Sequence, residues 1–106
     1  MTLSYNDKVF RNLFLGFIRL HILYHASKEP VFGLSLMKEL ERHGYHMSPG
    51  TLYPILHQME SNDFLDSQKT VISGKMRKYY SITEEGILAL SQSYEKIREL
   101  SEELNE

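Results

Sequence analysis

Ser48-Pro49-Gly50-Thr51-Leu52-Tyr53-Pro54-Ile55-Leu56-His57-Gln58-Met59-Glu60 is the stretch that decides the fold. It reads as a helix that buries one face and presents the other. Ser48 suits an N-cap, because its hydroxyl can accept from an orphan N–H of the first turn. Pro49 falls at the first helical position, where a missing N–H costs nothing. Leu52, Ile55, Leu56 and Met59 recur at i, i+3, i+4, i+7 and form an apolar stripe. The opposite face carries Thr51, Tyr53, His57, Gln58 and Ser61, with no acid before Glu60. Free N–H groups, short polar side chains and few carboxylates suit phosphates and base edges. Pro54 removes one internal bond and crowds the carbonyl of Gly50. Either the first turn is kinked or the regular helix begins nearer Thr51.

Immediately upstream, Gly33 to Arg42 reads as a short helix with Leu34, Met37 and Leu40 turned inward, stopped by Gly44 as a C-terminal cap. Two short helices around a tight glycine-containing turn, the second with a polar outer face, form a helix-turn-helix signature. Downstream, Phe64 to Ile72 and Lys75 to Ile82 read as two strands around Ser73-Gly74, a two-residue hairpin turn. In the second strand Met76, Lys78, Tyr80 and Ile82 share one side, and Arg77, Tyr79 and Ser81 the other. Tyr80 is expected to be packed. Lys69, Lys75, Arg77 and Lys78 make the hairpin basic, with Asp66 opposing, which is the charge pattern of a wing laid along a phosphate backbone.

The flanking segments read as helices. From about Asn6 to Ala26, Phe10, Leu13, Phe14, Phe17 and Tyr24 line one stripe, with His21 in the same row. Leu15, Ile18 and Ile22 make a second, and Leu20 and Leu23 add more. A helix apolar around most of its circumference needs cover on several sides. In a chain of 106 residues that predicts packing against a second subunit. Ser27-Lys28-Glu29-Pro30 breaks this helix. Thr83 caps the last helix, with Glu84 and Glu85 complementing its dipole. Along it Ile87, Leu90, Tyr94, Ile97, Ser101 and Leu104 alternate spacings of three and four, the seam by which helices pair.

Composition bounds the function. The chain has one domain's length, no cysteine and a formal net charge of −2. Absence of thiols excludes a disulfide framework, a thiolate metal site and a cysteine nucleophile. The acid is concentrated: seven acids and two cations lie from Glu84 onward, leaving ten basic and seven acidic residues in the first 83. That balance permits DNA binding. The N-terminus lacks a signal-peptide pattern and no apolar run reaches membrane length, so the expected location is cytoplasmic and no membrane partner is expected. No nucleophile elbow, phosphate-cradling glycine loop or paired-acid motif is present, so no catalytic residue and no cofactor is assigned. His21 and His25 have the i, i+4 spacing that can hold a metal. No Asp or Glu stands near them in sequence and no further cluster is evident, so no metal is assigned.

These residues together resemble the PadR family of winged-helix transcriptional regulators, in its short-chain form. The resemblance runs from about Leu13 to Leu90. It rests on Pro30 with Gly33, Leu36 and Leu40 with Gly44, the Ser48 to Pro54 run, Leu56 and Glu60, then Arg77-Lys78-Tyr79-Tyr80 followed by Thr83 and Gly86. Three departures stand out: Phe32-Gly33-Leu34 where the family often has His-Gly-Tyr, Asp63-Phe64-Leu65 where a glycine often precedes the leucine, and Met76 in a triplet that is frequently all basic. The last is expected to weaken phosphate affinity.

The expected architecture is mostly α with a small β-hairpin wing. It comprises a winged helix-turn-helix DNA-binding domain with the N-terminal helix over residues 1–83, and a long C-terminal dimerisation helix over 84–106. The resemblance implies a homodimer, usually a repressor, on a palindromic operator in double-stranded DNA, and some members release DNA on binding a small planar, phenolic or amphipathic compound. Expected DNA-binding residues are Ser48, Thr51, Tyr53, His57, Lys75, Arg77 and Lys78. Dimerisation is expected through Phe10, Leu13, Phe14, Phe17, Ile87, Leu90, Tyr94, Ile97 and Leu104. An aromatic effector is expected at Phe14, Phe17 and Tyr94. The alternative is a ligand- or metal-sensing, or protein-binding, winged helix that binds DNA weakly.

Overall fold

A computed structural model describes residues 7–106. The elements in chain order are α1 (Asp7–Lys28), α2 (Gly33–Arg42), α3 (Pro49–Ser61), β1 (Leu65–Ile72), β2 (Lys75–Ile82) and α4 (Glu84–Leu104). The expected helix start at Asn6 lies outside the described residues. At its other end α1 runs two residues past Ala26, through Ser27 and Lys28, because the helical pattern is stopped by Pro30 rather than by the polar pair before it.

The core is the meeting point of α1, α2, α3 and the base of the hairpin. Ile18, Ile22, Leu23 and Ala26 come from α1, Leu36 and Leu40 from α2, and Leu52, Ile55, Leu56 and Met59 from α3. Leu65 and Tyr80 close it from the strands, Tyr80 being 1% exposed. The apolar stripe of α3 is therefore buried as its periodicity predicts. In α2 the phase differs: Leu36 and Leu40 point inward, Met37 is half-buried and Leu34 is exposed. The cause is Gly33, buried under the ring of Tyr53, where a Cβ would stand 2.5 Å from the tyrosine Oη. That contact fixes the rotation of α2 with residues 33, 36 and 40 facing in.

Both helix-turn-helix segments end in the same way. After α2, Gly44 adopts φ +88° and Tyr45 N–H donates to the Leu40 carbonyl. After α3, Asp63 adopts φ +67°, its N–H donating to Glu60 and the Phe64 N–H to Met59. These are paired Schellman closures. The second uses aspartate where glycine would be unstrained.

β1 and β2 pair antiparallel, Leu65 opposite Ile82 and Ile72 opposite Lys75. Ser73 (φ +52°) and Gly74 (φ +76°) make the turn, both central residues left-handed as a two-residue type I′ loop requires. β1 starts at Leu65, one residue later than expected, because Phe64 is consumed by the helix closure. Val31 exchanges both backbone hydrogen bonds with Tyr80, so β2 is flanked on both sides. That bridge ties the α1–α2 connection to the wing.

α4 begins at Thr83, whose hydroxyl accepts from the Gly86 N–H at 3.0 Å. Gly86 is buried against the Phe64 carbonyl, where a Cβ would stand 2.3 Å away, so only glycine lets α4 approach the end of α3 this closely. α4 packs on α1 and β2 through its first half. From Tyr94 to Glu106 every residue is exposed.

Candidate nucleic-acid interface

α3 presents the face expected of it. Tyr53, His57, Gln58 and Ser61 are exposed and Thr51 is half-buried. The helix starts at Pro49 and continues through Pro54; Gly50 and Pro54 are both exposed, which leaves the unbonded Gly50 carbonyl at the surface. Ser48 occupies the N-cap but does not cap with its side chain. Its hydroxyl meets the Thr51 hydroxyl at 3.3 Å instead; Pro49 has no N–H and the Thr51 N–H donates to the Ser48 carbonyl, which leaves the Gly50 N–H of the first turn without a side-chain acceptor. Such a start is electropositive. Tyr53 rests on Gly33 and so is aimed by α2. Gln58 is held from behind by Arg19 of α1, whose guanidinium donates to its Oε1 at 3.1 Å.

The three expected wing cations are in three different states. Lys75 is exposed beside the hairpin turn and has no acidic partner among the described residues. The Arg77 guanidinium lies 4.6 Å from the centroid of the Phe32 ring, which also meets Tyr79 edge-on at 5.3 Å. Phe32 thus holds Arg77 by cation–π contact without neutralising it. Lys78 is paired: its Nζ stands 3.2 Å from Glu60 Oε1 on α3 and 5.3 Å from the Tyr80 ring centroid. Glu60 also accepts from the Ser67 hydroxyl of β1. That hydrogen bond first, and Lys78 with it, lowers the Glu60 pKa, while the Glu60 hydrogen bond raises that of Lys78. Glu60, Ser67 and Lys78 therefore staple the hairpin to the far end of α3. Lys69, directly opposite Lys78, adds a further exposed cation.

The remaining expected site residues separate into two surfaces. Phe10, Leu13, Phe17, Ile87, Tyr94, Ile97 and Leu104 are exposed, Leu104 at 75%. Leu90 is half-buried against the core. Phe17, Tyr24, Leu90 and Tyr94 line a groove of about 350 Å³ between α1 and α4. Phe14 is not in that groove. Its ring packs on Tyr45 with centroids 6.4 Å apart, on the side of α1 that faces the turn before α3. In the single chain Phe14 therefore stands apart from Phe17 and Tyr94.

Residues missed by sequence reading are Arg19, Phe32, Glu60, Ser67 and His43. The last stands beside His21 and His25, so the histidine pair does have a third member. Each of these acts through a contact made far along the chain, for which spacing carries no signal.

A helix-turn-helix with a polar second helix, followed by a two-stranded basic hairpin tied to that helix, defines a winged-helix protein. Residues 22–92 match the model of the transcriptional regulator PadR-like family, and the chain belongs to that family of transcriptional regulators. It is 45% identical over 87 residues to the transcriptional regulator Rv3488 of Mycobacterium tuberculosis, covering 82% of this chain and 81% of that protein. Among solved structures it is similar to a PadR-like transcription factor from Bacteroides fragilis, with a TM-score of 0.81 and 28% identity over 93% of this chain and 97% of that one. A PadR-like regulator from Bacillus cereus gives a TM-score of 0.79 and 31% identity, over 89% and 93% of the two chains.

Proposed function

We propose that the chain is a dimeric, sequence-specific DNA-binding repressor. In this reading residues 1–83 grip DNA and residues 84–106 pair two copies. The observation that carries it is α3 itself: an exposed polar face whose first turn has no side-chain cap, stapled through Glu60 to a cationic hairpin. α3 enters the major groove of double-stranded DNA. Ser48 and Thr51 meet phosphate or base edges at its start, and Tyr53 and His57 follow along the same side. Lys75 and Arg77 reach phosphates, while Lys78 serves mainly to hold the wing at its angle to α3. None of this needs catalysis.

Dimerisation is supported by the apolar surface of α1 and α4 that one chain leaves bare. Phe10, Leu13 and Phe17 on α1, with Ile87, Tyr94, Ile97 and Leu104 on α4, are large apolar residues in contact with solvent. A second copy covers such a surface isologously and sets the two α3 helices on successive half-sites of a palindromic operator. The groove between α1 and α4 borders this surface. A small aromatic compound lodged against Phe17 and Tyr94 would alter how the pair is spaced, and so release DNA.

The test is sedimentation of the wild type and of Ile97→Asp, with and without a duplex of about two helical turns. Wild type is expected to sediment as a dimer and to bind as one dimer per duplex. The variant is expected to be monomeric, folded and at least about 100-fold weaker on DNA, because Ile97 is outside the core of the single chain and a charge there acts chiefly on the pair. A monomeric wild type that binds with full affinity would overturn the reading.

A further inference from the structure

We propose that His21, His25 and His43 form a binding site for a divalent transition-metal cation of the zinc class. Two of the imidazoles come from α1, one turn apart on the same face. The third comes from His43 at the C-cap of α2, whose backbone N–H donates to the Leu40 carbonyl. One nitrogen from each ring lies within 4.8 Å of the other two. A tetrahedral zinc with bonds of ~2.0–2.1 Å sets its nitrogens ~3.3 Å apart. Closing the cluster therefore takes movements of roughly an ångström, and His43 is free to make them because it is exposed.

The surroundings favour a cation over three stacked rings that merely fill space. His25 Nε2 is buried and makes no hydrogen bond among the described residues, a state that ordinarily has a partner. The carboxylate of Glu39 stands 3.9 Å from that nitrogen, itself tied to Arg42 at 2.8 Å, and brings negative charge to the edge of the cluster. At that distance it accepts no hydrogen bond from the ring, and it favours a cation beside the nitrogen by its charge alone. The His21 and His43 rings overlap at 4.4 Å between centroids.

The donor set selects the metal. Three neutral imidazoles suit zinc, cobalt, nickel or copper ions, and suit neither magnesium nor calcium. Three protein ligands leave one coordination position open. The same three histidines line the α1–α4 groove, which leaves room beside them for a further ligand. The ligands also join α1, which carries the exposed apolar face, to the last residue before the turn leading into α3. A bound cation clamps those two elements together.

The experiment uses tag-free full-length protein stripped with chelator, titrated with cobalt(II) and followed by its visible ligand-field absorption, with zinc as competitor. One saturable site per chain is expected. Zinc at 100-fold over its Kd should raise Tm by about 10 °C. His43→Asn removes an exposed ligand without touching the core, and should weaken binding by at least about 100-fold, above the 10–100-fold cost of losing an outer-shell partner. His46→Asn with His57→Asn, which replaces the two histidines outside the cluster, should leave binding unchanged. Absence of saturable binding overturns the proposal, as does binding that survives His43→Asn or that depends on His46 and His57. No DNA enters the measurement, so its outcome is independent of the repressor reading.

Discussion

Replacing Lys75 with alanine removes one unpaired cation from each wing, and the loss can be read from the salt dependence of DNA binding. Each phosphate neutralised contributes about 0.9 to the slope of log K against log salt. A dimer docking two wings should therefore lose about 1.8 from its slope. Across a fourfold rise in salt, from about 50 to 200 mM, wild-type affinity should fall about 12-fold more than that of the variant. The contrasting change is Glu60→Gln with Lys78→Met. Glu60 and Lys78 stand 3.2 Å apart, so removing both deletes a pair that is already internally balanced, and the slope should stay at the wild-type value. Fluorescence anisotropy on a labelled duplex at several potassium chloride concentrations measures both. A random duplex suffices, because the phosphate contribution is independent of sequence. A Lys75→Ala slope equal to wild type, or a double variant that loses as much slope as Lys75→Ala, would refute the division of labour among the wing cations.

Two further outcomes concern stability. Asp63 holds φ +67° at the closure of α3, so Asp63→Gly should stabilise the protein by about 1 kcal/mol, read as a rise in Tm of about 4–8 °C; an unchanged or lower Tm would show that the aspartate side chain offsets the strain. The Glu60 staple should respond to acid. Its folded pKa is depressed, so its stabilisation is complete above the ordinary carboxylate range and disappears as pH falls through the lowered value. Urea unfolding should therefore show an acid-side loss that is smaller in Glu60→Gln, and equal losses in the two proteins would contradict the ion pair.

What could be read from the sequence was whatever repeats locally. The stripe of Leu52, Ile55, Leu56 and Met59, the Ser73-Gly74 turn, the bounds of α2 and the burial of Tyr80 all follow from periodicity and turn chemistry within a few residues. The misreadings arise where a distant partner outvotes the local pattern. Leu34 faces out because Tyr53 presses on Gly33 and rotates α2. Phe14 shares a stripe with His21 yet packs on Tyr45, short of the α1–α4 groove. Ser48 spends its hydroxyl on Thr51 rather than on a backbone N–H, which leaves the start of α3 more open than a capped helix would be. Lys78 looks like a free wing cation until Glu60, 18 residues earlier, is seen beside it. The same holds for His43, separated from His25 by the whole of α2. Elements are written in short-range spacing, whereas the site depends on how those elements come to lie against one another.

The most direct measurement is selection of bound sites from random double-stranded DNA with the purified protein. The account predicts enrichment of an inverted repeat whose half-sites are centred about 10–10.5 base pairs apart, or a multiple of that, as two α3 helices related by a twofold axis require. Failure to enrich any motif, or enrichment of a single asymmetric half-site bound by one chain, would contradict it.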